Sequence, residues 1–301
     1  MGMTKWWVVA VLCALGSGVV RAQTLLLIPG YLGSSDSWRS SGVTAKLEAA
    51  GWQDGGRLAL GWAGVRPSRP APAGGRRFYT LDMATEAPLQ FQADQLAAYV
   101  RFVEQRFPDD PVILVGHSAG GVVARLYMVE HPQARVAALI TIASPHLGTE
   151  SAEWGAAAGS SPLGWFAPLV GGEVLNRSQG LFRDLARQRP DNLLGWLNRQ
   201  PHPDASYVSV VRSGNDDYFG LGDMLVPDWS QDMNHVPALR GRARTIVVKG
   251  GHGLRPEDGT LLVKILNHLG RTGAGSPSPR RPVTPAERGV AVQQPTQGMT
   301  P

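Results

Sequence analysis

The sequence is poor in cysteine: among its 301 residues only Cys13 carries a thiol. Residues 1–22 combine a basic residue, Lys5, with an apolar run over residues 6–20 and a cleavage signal before Gln23, the pattern of a secretory signal peptide. We therefore predict an exported protein, periplasmic or extracellular. Its mature chain would contain no thiol, which excludes disulfides, thiol nucleophiles and cysteine metal sites.

Long apolar runs and an excess of charge are also lacking. The run over residues 6–20 is shorter than a typical membrane-spanning helix and is interrupted by glycine and serine. The net charge of +5 arises at the two ends, because the segment from Gln23 to Gly270 contains 23 basic and 23 acidic residues. We therefore expect no basic face for a phosphate backbone and no nucleic-acid partner.

Between its ends the chain is rich in short apolar runs with helical segments between them. Strands are predicted for the continuously apolar or β-branched runs Thr24–Pro29, Arg57–Trp62, Pro111–Gly116, Ala137–Ala143, Ser206–Val211 and Arg244–Lys249. Helices are predicted where apolar residues recur every three or four positions, at Trp38–Ala50, Leu89–Phe107, Ala119–His131 and Leu261–Leu269. This alternation predicts an α/β domain over residues 23–270, a mostly parallel sheet with helices on both faces.

Two segments do not follow the alternation. Residues 147–203 are rich in Trp, Phe and Leu but interrupted by glycines and prolines, which predicts an inserted helical cap. An extra packing layer is the plainer interpretation of this cap, although long insertions at strand ends are more often functional. Residues 271–301 contain almost nothing to bury and are predicted to be a disordered tail.

The sequence Gly116-His117-Ser118-Ala119-Gly120 is a G-x-S-x-G motif in an informative context. A buried strand is predicted before it and a helix after it, which is the arrangement of a nucleophile elbow. The small residues allow a strained turn that lifts the hydroxyl of Ser118 above the sheet. A bare G-x-S-x-G arises easily by chance in a glycine-rich chain, and it is the flanking strand and helix that make Ser118 the predicted nucleophile.

A serine nucleophile needs a base, which in this chain order follows the acid and comes after a late strand. His252 follows the strand RTIVVK and precedes the last predicted helix. The other histidines lie inside the elbow, within or at the end of helices, after no strand, or before the acid: His117, His131, His146, His202, His235 and His268. His252 is therefore the predicted base, and a structural histidine is the alternative.

The orienting acid is expected after the strand Ser206–Val211. Asp223 lies in Gly-Asp-Met-Leu-Val-Pro, whose small and apolar flanks would hold a carboxylate rigidly. Asp216 and Asp217 lie nearer to the strand end and remain the main rivals, with turn formation as their plainer role. The predicted acid is Asp223.

The oxyanion hole should combine the backbone N–H that follows the nucleophile with one from the loop after an earlier strand. The first of these is the N–H of Ala119. The first predicted strand runs into Pro29-Gly30-Tyr31-Leu32-Gly33, which makes the N–H of Tyr31 the second candidate. An ordinary glycine turn is the alternative interpretation of this loop.

These segments together resemble bacterial lipases and related α/β-hydrolase esterases. The resemblance runs from about Thr24 to Gly270 through LLLIPGYLGSSDSW, LAAYVRFVEQRF, VILVGHSAGGVVARLYM, LITIASPHLGT, GDMLVP and GGHG. It implies an α/β-hydrolase fold, catalytic roles for Ser118, Asp223 and His252, and oxyanion donors at Tyr31 and Ala119. Pro29 departs from the family, which commonly carries histidine there.

The resemblance implies a serine hydrolase acting on carboxylic esters, with an ester or lipid as its small-molecule substrate and a transient contact with a lipid surface. A short-chain esterase, a thioesterase or an acyltransferase would use the same residues. A hydrolase fold that binds without catalysis is the alternative from another class. We expect no cofactor; some lipases of this type bind a structural calcium, but the sequence does not indicate its ligands, so no metal is predicted.

Overall fold

The computed structural model describes residues 22–72, 74–149, 177–213, 223 and 225–272. The predicted signal peptide lies outside the described residues apart from Ala22, and so does the predicted tail apart from its first two residues. Of the predicted cap, the segments 147–149 and 177–203 are described.

The described residues form one sheet of eight strands, and seven of them run parallel. Its strands are β1 (Gln23–Ile28), β2 (Gln53–Gly61), β3 (Gly64–Pro67), β4 (Arg76–Leu81), β5 (Val112–His117), β6 (Val136–Ile142), β7 (Ser206–Arg212) and β8 (Ala243–Val248). Their order across the sheet is β3-β2-β4-β1-β5-β6-β7-β8, and only the pair β2–β3 is antiparallel. The parallel strands therefore end at one common edge.

Helices cover both faces of this sheet. They are α1 (Ser35–Ser40), α2 (Val43–Ala49), α3 (Leu89–Arg106), α4 (Ala119–Glu130), α5 (Gln179–Asp184), α6 (Leu193–Leu197), α7 (Asp228–Gln231) and α8 (Pro256–Thr272), with 3-10 turns at Met233–His235 and Pro237–Leu239. One core packs α3 and α4 on the sheet, and a second core packs α1, α2 and α8 on the opposite face. Strands β1, β5 and β6 are buried between the two cores, which explains their continuously apolar sequences.

The predicted α/β class is confirmed: the sheet is mostly parallel, with helices on both faces. Two details of the prediction were wrong. The single helix predicted at Trp38–Ala50 is two helices, because Gly42 has a left-handed backbone (φ +80°) that ends α1 and begins α2. Strands β3 and β4 were missing from the predicted set of strands.

No helix within the described ranges is both long enough and apolar enough to cross a bilayer.

Candidate active site

The elbow at Ser118 stands between β5 and α4, at the edge where the parallel strands end. Ser118 has a positive φ of 52° and a ψ of −130°, a conformation that L-residues rarely adopt and that costs about 1–3 kcal/mol. Its own N–H donates to the carbonyl oxygen of Ile142 on β6 (2.9 Å). The fold therefore holds the serine in a strained turn, as a nucleophile elbow requires.

The glycines around Ser118 are required by close backbone approaches. A Cβ at Gly120 would lie 2.5 Å from the carbonyl oxygen of Pro29, and one at Gly116 would collide with the backbone of Gly121. The start of α4 consequently packs directly on the ends of β1 and β5. A larger residue at Gly116 or Gly120 would push the helix away from the sheet.

Ser118, His252 and Asp223 form a continuous hydrogen-bonded chain. The Oγ of Ser118 lies 2.9 Å from Nε2 of His252, and Nδ1 of His252 lies 2.8 Å from Oδ2 of Asp223. The carboxylate of Asp223 is buried, while His252 is partly exposed. The structure thus brings together the three side chains that we predicted as nucleophile, base and acid; the rival acids Asp216 and Asp217 lie outside the described residues.

The carboxylate of Asp223 is held on both oxygens. Its Oδ1 accepts the backbone N–H groups of Leu225 and Val226, each at 3.0 Å. Its Oδ2 accepts Nε2–H of the buried Gln231 (3.1 Å) in addition to the bond from His252. Four donors therefore fix the orientation of this carboxylate.

Gln231 was missed by the sequence analysis. Its Nε2 also donates to the carbonyl oxygen of Val226 (2.7 Å), and its Oε1 accepts the backbone N–H of Arg212 (2.7 Å). Both ends of the amide are used, so the side chain links the end of β7 to the acid loop. No local signal marks it, because a single glutamine on a one-turn helix resembles any surface residue.

A buried ion pair supports the same corner of the site. Both carboxylate oxygens of Asp258 accept hydrogen bonds from the Arg212 guanidinium (2.7 and 2.6 Å), and both side chains are almost fully buried. Oδ2 of Asp258 also accepts the backbone N–H of Arg255 (2.8 Å), which caps the start of α8. This pair ties β7 to the helix that follows the loop of His252.

His117 contacts the base directly. Its Nε2–H donates to the backbone carbonyl oxygen of His252 (2.8 Å), and the two rings lie 5.1 Å apart. Burial lowers the pKa of His117 to about 3, so the ring is neutral near pH 7 and adds no positive charge beside His252. The elbow residue that precedes Ser118 therefore positions the loop that carries the base.

The loop after β1 lies against the nucleophile. A Cβ at Gly30 would lie 2.7 Å from Cβ of Ser118 and 2.9 Å from the carbonyl oxygen of His117. Gly33 N–H bonds the carbonyl oxygen of Gly30 (2.9 Å), closing a turn whose third residue, Leu32, has a φ of +55°. Tyr31 is the second residue of this turn, directly after Gly30.

The oxyanion donor predicted at Ala119 belongs to α4. Ala119 is the first residue of this helix, so its N–H has no acceptor within the helical ladder. The positive end of the helix dipole also favours negative charge at this position. Ala119 directly follows Ser118, and Tyr31 directly follows Gly30, whose backbone lies against Ser118.

No group of three His, Cys, Asp or Glu side chains within the described ranges has the arrangement of a metal site. The chemistry available to these residues is that of hydroxyl, imidazole, carboxylate and backbone N–H groups. Such a set can activate a hydroxyl and stabilise an oxyanion.

The comparisons with known proteins agree with this fold. Residues 23–178 match the family model of the alpha/beta hydrolase fold. The chain belongs to the α/β-hydrolase fold family. No curated protein sequence matches the chain.

Several solved structures are similar in fold. A gene product of Listeria innocua has a TM-score of 0.52 at 16% identity, covering 83% of this chain and 92% of its own. The mature lipase BlEst2 of Bacillus licheniformis has a TM-score of 0.51 at 19% identity, with 82% and 91% covered. The metagenomic carboxyl esterase MGS0156 has a TM-score of 0.50 at 15% identity, with 83% and 76% covered. At these identities the likeness concerns the fold.

Proposed function

We propose that this protein is a serine hydrolase of carboxylic esters that works through an acyl-enzyme. The observation that carries the proposal is the hydrogen-bonded chain from Ser118 through His252 to Asp223, with a strained nucleophile at its head. The presence of a lipase and an esterase among proteins of the same fold supports it.

In the proposed reaction, Oγ of Ser118 attacks the ester carbonyl carbon while Nε2 of His252 takes the hydroxyl proton. The N–H groups of Tyr31 and Ala119 stabilise the oxyanion of the tetrahedral intermediate. His252 then protonates the leaving alcohol. A water molecule, deprotonated by His252, attacks the acyl-enzyme and releases the carboxylic acid. Asp223 keeps Nδ1 of His252 protonated and stabilises the imidazolium.

The substrate we propose is a medium- or long-chain acyl ester. Tyr31 packs edge to face on Phe182 of α5, with ring centroids 5.2 Å apart, next to the oxyanion loop. Phe182 comes from the segment that we predicted as a cap. An acyl chain buried against this aromatic pair would gain about 0.8 kcal/mol per methylene.

The chain-length dependence of hydrolysis tests this substrate class. With p-nitrophenyl esters, we expect kcat/KM for the octanoate to exceed that for the acetate by at least about tenfold, roughly 1.4 kcal/mol. An acetate preference of the same size would leave a short-chain esterase. No hydrolysis of any ester by folded protein would overturn the proposed function itself.

Gln231 provides a second test, because it holds the acid without touching a substrate. The variant Gln231→Met is expected to lower kcat about tenfold to hundredfold with little change in KM, since the carboxylate loses one donor and its fixed direction. Gln92→Met is the matched control: Gln92 is equally buried and bonds Ala87 through its amide (2.7 Å), but on α3. Equal loss of kcat in both variants would assign Gln231 a purely structural role.

A further inference from the structure

A surface groove of about 280 Å³ lies between the edge strand β8 and helix α8, apart from the candidate active site. Its floor is apolar and consists of side chains from β7, β8 and α8: Val208, Ile246, Leu261 and Ile265. Small-molecule sites usually measure roughly 300–1000 Å³. A groove just below this range, with an aliphatic floor, suits a single alkyl chain.

The sides of the groove are basic. Arg244, Lys264 and Arg271 line it, and no carboxylate does. Among the described residues none of these three cations forms a salt bridge. Because positive and negative charges balance between Gln23 and Gly270, this local excess produces a positive potential over an apolar surface.

Simpler roles account for only part of this pattern. A charged residue on an edge strand discourages strand pairing, which accounts for Arg244. A cation in the last turn of a helix interacts well with the helix dipole, which accounts for Arg271. Neither role explains Lys264, which lies in the middle of α8. Neither role explains why the floor between the three cations is apolar.

The positive charge of the groove also indicates which ligand would occupy it. Residues 273–301 continue directly from α8, but their charged residues are Arg280, Arg281, Arg288 and Glu287, so they have the same sign as the groove. A neutral alkyl ligand would leave the three cations unused. We propose that this groove binds the anion of a single-chain amphiphile, a fatty acid carboxylate, with its alkyl chain on the floor and its carboxylate among the cations. Ester hydrolysis would release such a ligand, although the binding proposal does not depend on it.

Calorimetric titration of the full chain with decanoate tests the proposal. We expect saturable binding that Lys264→Glu weakens at least fivefold and that Leu261→Ser also weakens. Decanol, which has the same chain without the charge, should bind at least tenfold more weakly than decanoate. Arg101→Glu is the matched control, because Arg101 is exposed on α3, on the opposite face of the sheet, and should leave binding unchanged.

Three results would overturn the proposal: no decanoate binding, equal binding of decanoate and decanol, or binding that Lys264→Glu does not weaken. Deletion of residues 273–301 tests whether that segment occupies the groove. A rise of more than tenfold in decanoate affinity on deletion would assign the groove to that segment instead. Hydrolysis of p-nitrophenyl octanoate by the same variants is measured in a separate assay. Loss of decanoate binding with hydrolysis retained supports a second site, and wild-type binding without hydrolysis would contradict only the proposed function.

Discussion

Replacing Ser118 by alanine is expected to lower kcat by on the order of a millionfold, and His252→Ala should have an effect of similar size. Both residues act on the same proton, since Oγ of Ser118 and Nε2 of His252 lie 2.9 Å apart. The double variant should therefore be scarcely worse than either single one. Steady-state hydrolysis of p-nitrophenyl octanoate measures all three, and circular dichroism checks that the fold is retained.

Substitutions of Asp223 and Asp216 provide an internal control for this prediction. Asp223→Asn should cost far more activity than Asp216→Asn, because the Asp223 carboxylate accepts the bond from Nδ1 of His252. Losses that add up in the double variant of Ser118 and His252 would show that the two side chains do not share a step. A larger loss in Asp216→Asn would transfer the role of the acid to the earlier aspartate.

Asp258→Ala is expected to lower the free energy of unfolding by about 3–5 kcal/mol, the usual cost of removing one partner of a buried ion pair. The guanidinium of Arg212, which is only 1% exposed, would lose both of its bonds to the carboxylate. The first turn of α8 would also lose the cap on Arg255. Urea unfolding followed by tryptophan fluorescence measures the change.

Two further variants separate charge from packing in this pair. The double variant Arg212→Met with Asp258→Leu removes both charges but keeps apolar volume, so it should recover much of the stability lost in Asp258→Ala. Asp36→Asn breaks an exposed pair with Arg57 (3.4 Å) and should change the free energy of unfolding by less than about 1 kcal/mol. If the exposed and buried pairs contribute equally, burial does not control the energetics of this corner.

Burial explains why so much of the fold could be predicted from the sequence. Strands β1, β5 and β6 lie between two helical layers, and their side chains are apolar on both faces, so a continuous run reveals them. The elbow at Ser118 could also be predicted, because its glycines, strand and helix are all local in sequence. The structure brings the predicted Ser118, His252 and Asp223 into contact.

What could not be predicted depends on partners that are distant in the chain. Strand β4 begins with two arginines and reads as polar, yet Arg77 is buried because it pairs with Asp110 and lies 3.7 Å from the ring centroid of Phe107. Gln231 belongs to the site through its bond to Asp223, and it accepts the N–H of Arg212 across 19 positions of sequence. Neither contact can be predicted from local sequence patterns, because the partners meet only after the sheet has formed.

The separation of 134 positions between Ser118 and His252 also affects when the site can form during biosynthesis. The elbow and its helix are complete once β5, β6 and α4 have paired and packed, but the imidazole enters only after β8, the last strand of the sheet, has joined β7. A nascent chain that still lacks β8 would carry an exposed Ser118 without a base. Non-local pairing of this kind is slow, so hydrolytic competence is expected to appear late in folding, together with completion of the sheet.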